Sequence, residues 1–315
     1  MRSHLIPAAL AATVSASTAA AQLNLVTTYA LPNASFDLQA DGRLLAVDGA
    51  GFVLQQDAIN GDTFFVSGSI APINADGFNP SFVSISPDGQ SVAIGNNEFN
   101  ANNAVSFFTT ADLTSPGTTS PTTTITTPNF SASWADNNTL FVSGAGSAGT
   151  VVNRLDTTAS TSETVITPAG TFSGGVHVEG NTLFAGNGTT GDVFAFDTTT
   201  LNPPAVDIAT GQFVTGSGSA GNIETLGDLL LVAGLGGVQI TDRATGNAFT
   251  LAPVGTGEFY GGFFNPAANQ IVVTNTAFDP MTFAPTTTAF VYNIPAPATL
   301  ALAPLAALAI RRRRA

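Results

Sequence analysis

The sequence predicts an all-β fold, a six-bladed β-propeller of four-stranded blades. Three observations favour it: a motif repeated six times at intervals of ~45 residues, several short β-rich runs in each interval, and a shortage of helical patterns outside the two chain ends. A closed ring of four-stranded sheets accounts for all three, because each sheet packs against two neighbours. A β-sandwich or a parallel β-helix is the competing architecture.

Each repeat centres on a polar turn, followed by a four-residue apolar run and then Gly or Asn in most copies. The six copies are DGRLLAVDG from Asp41, DGQSVAIGN from Asp88, DNNTLFVSG from Asp136, EGNTLFAGN from Glu179, LGDLLLVAG from Leu226 and AANQIVVTN from Ala267. They start 47, 48, 43, 47 and 41 residues apart. Gly and Asn suit a tight hairpin because they tolerate positive φ. The motif therefore predicts the first hairpin of each blade.

The flanks of the motif supply the other strands of each blade. One short β-rich run precedes each turn, a third follows it, and the first five copies add a fourth. The sixth copy lacks its fourth run, whereas Leu23–Leu31 stands unassigned before the first copy. Because an open ring leaves exposed sheet edges, we expect Leu23–Leu31 to pair with Ala289–Ile294 and close the sixth blade.

Two further segments bear on the blades. Ser84–Gly95, SISPDGQSVAIG, resembles the Ser-Pro-Asp-Gly turn of YVTN-type bacterial propeller repeats, and the resemblance implies the same fold. Thr109–Pro128 is rich in Thr, Ser and Pro, which predicts a long loop before an outer strand or a site for O-linked sugars. The single tryptophan, Trp134, is predicted to pack in the core or between blades.

The charge distribution excludes several classes of function. The chain has a formal net charge of −13 and no lysine, and only Arg43, Arg154 and Arg243 lie among the 21 acidic residues between the ends. Binding to nucleic acid or to an anionic membrane through the field needs clustered Lys and Arg, so neither is expected of this region. The absence of cysteine excludes disulfides and thiolate metal sites.

The N-terminus has the pattern of a secretory signal peptide. Arg2 is followed by an apolar run from Leu5 to Val14, and small residues stand at Ala19 and Ala21. The run is too short for a permanent transmembrane helix, so we expect a signal helix over residues 1–21, cleaved after Ala21.

The C-terminus combines an apolar run with a basic end. Ala296–Ile310 is uncharged and spans ~22 Å as a helix, against a hydrocarbon core of ~30 Å. Pro304 weakens this marginal transmembrane helix further. Four arginines follow, Arg311, Arg312, Arg313 and Arg314, and the positive-inside rule places them in the cytoplasm. The pattern indicates a temporary membrane anchor over residues 295–315, with the acidic domain, residues 22–294, outside.

The tail resembles the PEP-CTERM sorting signal. The motif is Pro295-Ala296-Pro297, with Ala296 where the family usually has glutamate, and the Leu/Ala-rich helix and arginine cluster complete the pattern. The resemblance implies recognition and processing by an exosortase-type membrane enzyme, and delivery to the cell surface or extracellular matrix. It covers only the last 22 residues and implies nothing about the activity of residues 22–294.

Few titratable residues suggest a site in that domain. His177 and Glu179 share a face of one predicted innermost strand, and Glu224 and Asp37 lie on the equivalent strands of other blades. Six-bladed propeller lactonases bind a divalent cation in the channel, and Ca²⁺ accepts such oxygen ligands. We expect either a weak channel site of this kind or hydrogen-bonded channel residues with no cofactor.

The sequence leaves three functions open. We expect a non-catalytic binding module for a partner protein or an exopolysaccharide, exported to the cell envelope. The alternatives are a metal-dependent lactonase or hydrolase at the channel mouth and a purely structural matrix component, since propellers host all three.

Overall fold

A computed structural model describes residues 23–294, except 33, 62, 72–79, 97–102, 147–148, 168–172, 201–205, 210–219, 252–254, 256, 258, 279–280 and 282–284. The predicted signal peptide, with Ala19 and Ala21, and the sorting segment 295–315 lie outside the described residues. The described strands form six separate sheets, antiparallel except for one parallel strand pair, and these are the blades of a six-bladed β-propeller. The predicted fold is therefore confirmed.

The strands follow the chain in blade order. The first is β1 (Asn24–Pro32), which belongs to the last blade. Blade 1 contains β2 (Ala34–Leu38), β3 (Leu44–Asp48), β4 (Phe52–Gln56) and β5 (Phe64–Ile70). Blade 2 contains β6 (Pro80–Ile85), β7 (Ser91–Asn96), β8 (Ala104–Thr109) and β10 (Thr123–Thr126), and between β8 and β10 lie α1 (Thr110–Leu113) and β9 (Thr118–Thr119).

The remaining blades repeat the pattern. Blade 3 contains β11 (Ser131–Trp134), β12 (Thr139–Gly146), β13 (Gly149–Asp156) and β14 (Thr161–Ile166). Blade 4 contains β15 (Ser173–Glu179), β16 (Thr182–Asn187), β17 (Val193–Asp197) and β18 (Val206–Ala209). Blade 5 contains β19 (Asn222–Leu226), β20 (Leu229–Gly234), β21 (Gly237–Asp242) and β22 (Ala248–Leu251). Blade 6 contains β23 (Phe259–Asn265), β24 (Gln270–Phe278) and β25 (Pro285–Asn293), and β1 is its outer strand.

The ring closes as the sequence predicts. Antiparallel pairing of β1 with β25 runs from Asn24 opposite Asn293 to Pro32 opposite Thr286. Tyr29 of β1 is buried and packs edge-to-face on Phe64 of blade 1, with ring centroids 5.7 Å apart. The N-terminal strand thus completes blade 6 and joins it to blade 1.

Acidic residues at the ends of strands form the turns. Asp136 accepts hydrogen bonds from the backbone N–H groups of Asn138 and Thr139, and Asp242 accepts them from Ala244 and Thr245. Such carboxylates fix a turn by bonding to the backbone two or three residues on. Part of the acidic composition therefore has a structural role.

The Thr/Ser/Pro-rich segment is an ordered strap, which the predicted loop did not anticipate. It leaves blade 2 through α1, and β9 then pairs in parallel with β5 as a fifth strand of blade 1. Leu113 of α1 is fully buried between blades 1 and 2. The strap covers an edge strand that is otherwise open to pairing with another chain.

Apolar side chains fill the spaces between blades. Clusters of Val, Leu, Ile and Phe join blades 1 and 2, 2 and 3, 3 and 4, 4 and 5, and 6 and 1. Trp134 is buried, and its indole N–H donates to the Ser84 carbonyl of blade 2 at 3.2 Å, so its predicted inter-blade position is confirmed. Within the described part of the chain, no helix is long and apolar enough to cross a membrane.

Candidate functional site

Six residues occupy the same register position on the innermost strands, and we call them the channel ring. In blades 2 to 6 each pairs with the third residue of its blade's second strand, counted from the strand's first residue. In blade 1 Asp37 pairs with Leu45, the second residue of β3, but the Gln39 N–H donates to the Arg43 carbonyl and extends that hairpin by one pair, so Asp37 holds the equivalent position. The channel ring consists of Asp37, Ser84, Ser133, His177, Glu224 and Phe263, from blades 1 to 6 in order. Three of the four channel residues predicted from the sequence therefore lie at one level of the propeller.

Some channel-ring residues fasten their blade to the next. The Asp37 carboxylate accepts a hydrogen bond from the backbone N–H of Ile85 in blade 2, at 2.7 Å. The Ser133 hydroxyl accepts the corresponding bond from Val178 in blade 4, at 3.0 Å. Innermost strands of neighbouring blades do not share a sheet, so side chains at this position satisfy backbone groups that face the neighbouring blade.

His177 of blade 4 contacts blade 5 through both ring nitrogens. Its Nδ1 lies 3.2 Å from Glu224 Oε2, and its Nε2 lies 2.8 Å from the Thr225 hydroxyl. The His177 side chain is 16% exposed and that of Glu224 is 31% exposed, so this contact is partly shielded from water. The two side chains that face each other across the junction are a base and an acid.

The same network continues to Glu179. Hydrogen bonds from Arg243 and Thr225, together with the charges of Arg243 and His177, hold the pKa of Glu179 below its usual value. Arg243 donates to both Glu179 oxygens, at 2.8 and 3.1 Å, and its guanidinium lies 5.5 Å from the Phe184 ring centroid. Arg243 thus ties blade 5 to blade 4 by charge and by cation–π contact.

The contacts of His177 connect it to both carboxylates of the network. Its Nε2 faces the Thr225 hydroxyl, which also hydrogen-bonds to Glu179, and its Nδ1 faces Glu224. His177 therefore lies at the centre of the blade 4–5 junction, with both ring nitrogens engaged.

Asp37 is the least favourably placed carboxyl group in the channel ring. Burial raises its pKa from 3.8 to about 7, and repulsion from Glu224 adds to the rise. The hydrogen bonds from Ile85 and Leu38 oppose the shift without cancelling it. Blade 6 lies between the blades that carry Asp37 and Glu224 in ring order.

Aromatic side chains meet at the junction between blades 6 and 1. Phe263 is the channel-ring residue of blade 6 and therefore lies between Glu224 and Asp37 in ring order. It packs edge-to-face on Phe36 of blade 1, with centroids 5.4 Å apart, and both side chains remain half-buried. From blade 5 to blade 1, the channel-ring residues are therefore a carboxylate (Glu224), an aromatic ring (Phe263) and a second carboxylate (Asp37).

The structure groups the predicted residues differently from the lactonase comparison. His177 and Glu224 are in contact and Asp37 lies at the same level of the propeller, whereas Glu179 pairs with Arg243 at the blade 4–5 junction. Among the described residues, no group of three or more His, Asp or Glu side chains has the arrangement needed to hold a metal ion. The donor set therefore does not fit the divalent cation that the comparison with lactonases implies.

Sequence reasoning missed Phe263 and Gln39. Gln39 directly follows β2, where its backbone N–H donates to the Arg43 carbonyl, and its buried Nε2 has no hydrogen-bond partner among the described residues. Aligning the repeats on the second strand of each hairpin places Phe263 in the channel ring. Aligning them on the turn displaces it, because the blade 6 turn has four residues, Pro266 to Asn269, and the blade 4 turn has two.

Comparisons with known proteins identify the fold alone. No protein-family profile matches the sequence, and no curated protein matches it either. A chain of the mitotic checkpoint complex is similar with a TM-score of 0.56 and 12% identity, over 94% of this chain and 100% of that one. A putative TolB from Agrobacterium tumefaciens gives 0.55 and 14%, over 84% and 90%. A chain of the nidogen–laminin complex gives 0.54 and 11%, over 73% and 82%.

Proposed function

We propose that this protein is exported, sorted to the cell surface or extracellular matrix by an exosortase-type enzyme, and acts there as a non-catalytic binding module. The binding role rests on one observation, the channel ring, where half-buried carboxylates and a phenylalanine line one side of the channel. Such a mixture of charged and apolar groups is typical of sites that orient a ligand. The ligand is a partner molecule or an exopolysaccharide.

The contacts of His177 favour binding over hydrolysis. A hydrolase needs a group that accepts a proton from water or from a nucleophile, and His177 is the only histidine outside the predicted signal peptide. Both of its ring nitrogens already contact blade 5, with Nδ1 3.2 Å from Glu224 Oε2 and Nε2 2.8 Å from the Thr225 hydroxyl.

The sorting role rests on the sequence of the two ends. The export signal over residues 1–21 and the Pro-Ala-Pro motif, apolar run and arginine cluster over residues 295–315 support it. The similar propellers in the nidogen–laminin and mitotic checkpoint complexes support the use of this fold in assemblies.

Mass spectrometry of the protein from its native host tests the sorting proposal. The expected mature form starts near Gln22 and lacks Arg311–Arg314. A matched variant with Pro295→Ala and Pro297→Ala is expected to remain full-length at its C-terminus and to stay with the membrane. A native surface protein that still carries its four arginines would refute processing and leave a plain anchor.

A glycan and small-ligand binding screen on the full chain in mild detergent tests the binding proposal. The expected result is saturable binding by at least one ligand, reduced by Glu224→Gln. A matched control, Glu163→Gln, removes a carboxylate on outer strand β14, far from the channel ring in the sheet order. Turnover of a lactone or ester substrate that is abolished by His177→Gln would contradict the binding proposal and show that the protein is an enzyme.

A further inference from the structure

The outer edge of blade 6 is a long strand with no further neighbour among the described strands. β1 has nine residues and lies last in its sheet, beyond β25. The outer strands of blades 2 to 5 have only four to six residues, and in blade 1 the strap pairs with β5. Backbone N–H and C=O groups on an uncovered edge can pair with another strand. Among the described strands, β1 is therefore the longest edge open to strand addition.

Exposed apolar side chains lie beside this edge. Leu25 and Val26 of β1 and Val66 of β5 are each at least 40% exposed. Val66 alternates with Phe64 on the face of β5 that meets Tyr29 of β1, so it lies on the side of blade 1 that faces blade 6. Covering such side chains removes apolar area from water and favours association.

The charge distribution indicates which partner fits this edge. The domain holds 21 acidic residues against three arginines, whereas the four strands of blade 6 hold no charged residue. A basic partner would be attracted to the acidic surfaces of the other blades and would gain nothing from an uncharged edge. Two copies of this chain repel each other through their net charge, and they repel least where both are uncharged. Blade 6 therefore fits a second copy of the chain.

The sequence of β1 is compatible with itself in an antiparallel pair. Symmetric pairing along the whole strand centres on Thr28, its middle residue, and places Val26 opposite Ala30. Threonine and apolar residues suit a strand, and this register puts no like charges opposite each other. A bulge at one end of β1 and Pro32 at the other weaken the pairing there, so the central residues carry it.

We propose that the protein forms a two-fold symmetric dimer in which β1 pairs antiparallel with β1 of a second copy. The pairing joins the two sixth blades into one eight-stranded sheet and covers apolar side chains beside the edge. This inference goes beyond the proposed function and depends neither on the channel ring nor on processing of the tail. A dimer of this kind presents two channel rings to a polymeric or surface-bound ligand, which raises its avidity.

Sedimentation equilibrium of the full chain in density-matched mild detergent tests the dimer. Detergent is used because antiparallel pairing places the two Ile294 ends at opposite ends of the paired strands, which disfavours copies anchored side by side in one membrane. A reversible monomer–dimer equilibrium is expected. Raising NaCl from about 0.05 to about 0.5 M should lower the dissociation constant at least about threefold, because salt screens the repulsion between acidic domains. A parent protein that stays monomeric at about 100 μM would overturn the proposal.

Lysine substitutions on β1 locate the contact. Thr28 and Ala30 are exposed and alternate with buried Tyr29. Thr28→Lys and Ala30→Lys are each expected to raise the dissociation constant at least about tenfold, because charge on an edge strand opposes pairing. Each also reduces the net negative charge, so greater repulsion between whole domains cannot explain the loss.

The matched control is Thr126→Lys, which places the same charge at an exposed position on β10, the outer strand of blade 2. Its dissociation constant is expected to stay within about twofold of the parent value. Undiminished dimerisation by both β1 variants, with melting temperatures like that of the parent, would place the contact elsewhere and overturn the interface.

A single cysteine tests the symmetry axis without adding charge. The chain has no cysteine, so Thr28→Cys introduces the only thiol. Directly opposite residues of antiparallel strands have Cα atoms about 4.5–5.5 Å apart, which a disulfide can bridge. Oxidation with copper phenanthroline is expected to link the two copies through residue 28, whereas Thr126→Cys should stay unlinked. Equal linking of both variants would contradict pairing at β1.

A peptide with the sequence of residues 24–32 and blocked ends separates a second copy from a different partner. It is expected to compete with dimerisation and so to raise the apparent dissociation constant of the parent. A parent that stays monomeric and binds this peptide more tightly than Thr28→Lys does would overturn the dimer and indicate strand addition by a partner protein.

Discussion

The junction between blades 1 and 2 and the junction between blades 3 and 4 satisfy the equivalent backbone N–H group with different side chains. In each, a channel-ring side chain accepts a hydrogen bond from the next blade's innermost strand. Blade 3 uses the Ser133 hydroxyl on Val178 N–H, and blade 1 uses the Asp37 carboxylate on Ile85 N–H. The geometry is shared, and only the charge differs.

This difference shows that the fold needs a hydrogen-bond acceptor at this position but does not need a charge. A neutral hydroxyl is sufficient in blade 3, where Ser131 makes a second such bond to Val176 N–H at 3.3 Å. The carboxylate of Asp37 makes the same bond and also bears the cost of partial burial, which its raised pKa reports. The charge at Asp37 therefore destabilises the propeller at pH values above its pKa of about 7.

The largest effect is expected from moving the carboxylate to blade 3. Ser133→Asp keeps an acceptor for Val178 N–H and places a charge in a half-buried position, as at Asp37. We expect a loss of about 2–4 kcal/mol in unfolding free energy at about pH 8, measured by urea denaturation. The loss should shrink near pH 5, because protonation removes the charge. Ser133→Asn, which adds no charge, is the matched control, and an equal loss there would attribute the effect to size.

The reverse change removes the charge from blade 1. Asp37→Asn is expected to raise the unfolding free energy by about 1–3 kcal/mol at about pH 8, with no gain near pH 4. The folded-state pKa of about 7 exceeds the unfolded value of 3.8, so the folded protein binds a proton that the unfolded chain releases between these pH values. Stability contributed by this group is therefore lost as pH rises from about 4 to about 7.

A denaturation series over this pH range checks that sign. The parent should lose stability with rising pH more steeply than Asp37→Asn, while Glu224 and His177 remain present in both proteins. Asp88, Glu179, Asp197 and Asp242 act in the opposite direction at lower pH, because their pKa values lie below the usual range. Parallel curves for parent and variant would show that Asp37 is not the group responsible.

The smallest effect is expected at the blade 4–5 junction, where charges are already paired. Arg243→Gln removes the bidentate bond to Glu179 and the contact over Phe184. Both partners are substantially exposed, so we expect a loss of under about 1 kcal/mol, reduced further by salt. A loss of several kcal/mol, measured by the same denaturation assay, would show that this network stabilises the ring more than its exposure indicates.

The sequence was sufficient for the blades because their determinants are local. Turn residues such as Asp88 and Gly89, whose φ is +71°, mark each hairpin at a regular interval. The closing role of β1 followed from the missing fourth strand of blade 6 and the need to cover its edge. The strap did not follow, because the pairing of β9 with β5 and the burial of Leu113 depend on a neighbouring blade.

The sequence predicted which strand positions the channel residues occupy, but it did not predict which side chains contact one another. Alternation along a strand placed His177 and Glu179 on one face, and equivalent strands supplied Glu224 and Asp37. The partner of Glu179 is Arg243, which directly follows the end of β21 in the neighbouring blade. Contacts between strands of different blades have no fixed spacing in the sequence, so no sequence motif predicts them.

The pairing of β1 with β25 also sets an order of events during synthesis. Asn24 leaves the ribosome more than 260 residues before its partner Asn293, so β1 has no sheet to join until nearly the whole domain exists. The first four strands of blade 1 and the four strands of each of blades 2 to 5 come from local stretches of the chain and can form earlier, whereas blade 6 combines the first strand of the domain with its last. Contacts so distant in the chain slow folding. An exported chain that is threaded from its N-terminus would therefore keep this ring open until the segment beside the tail has crossed.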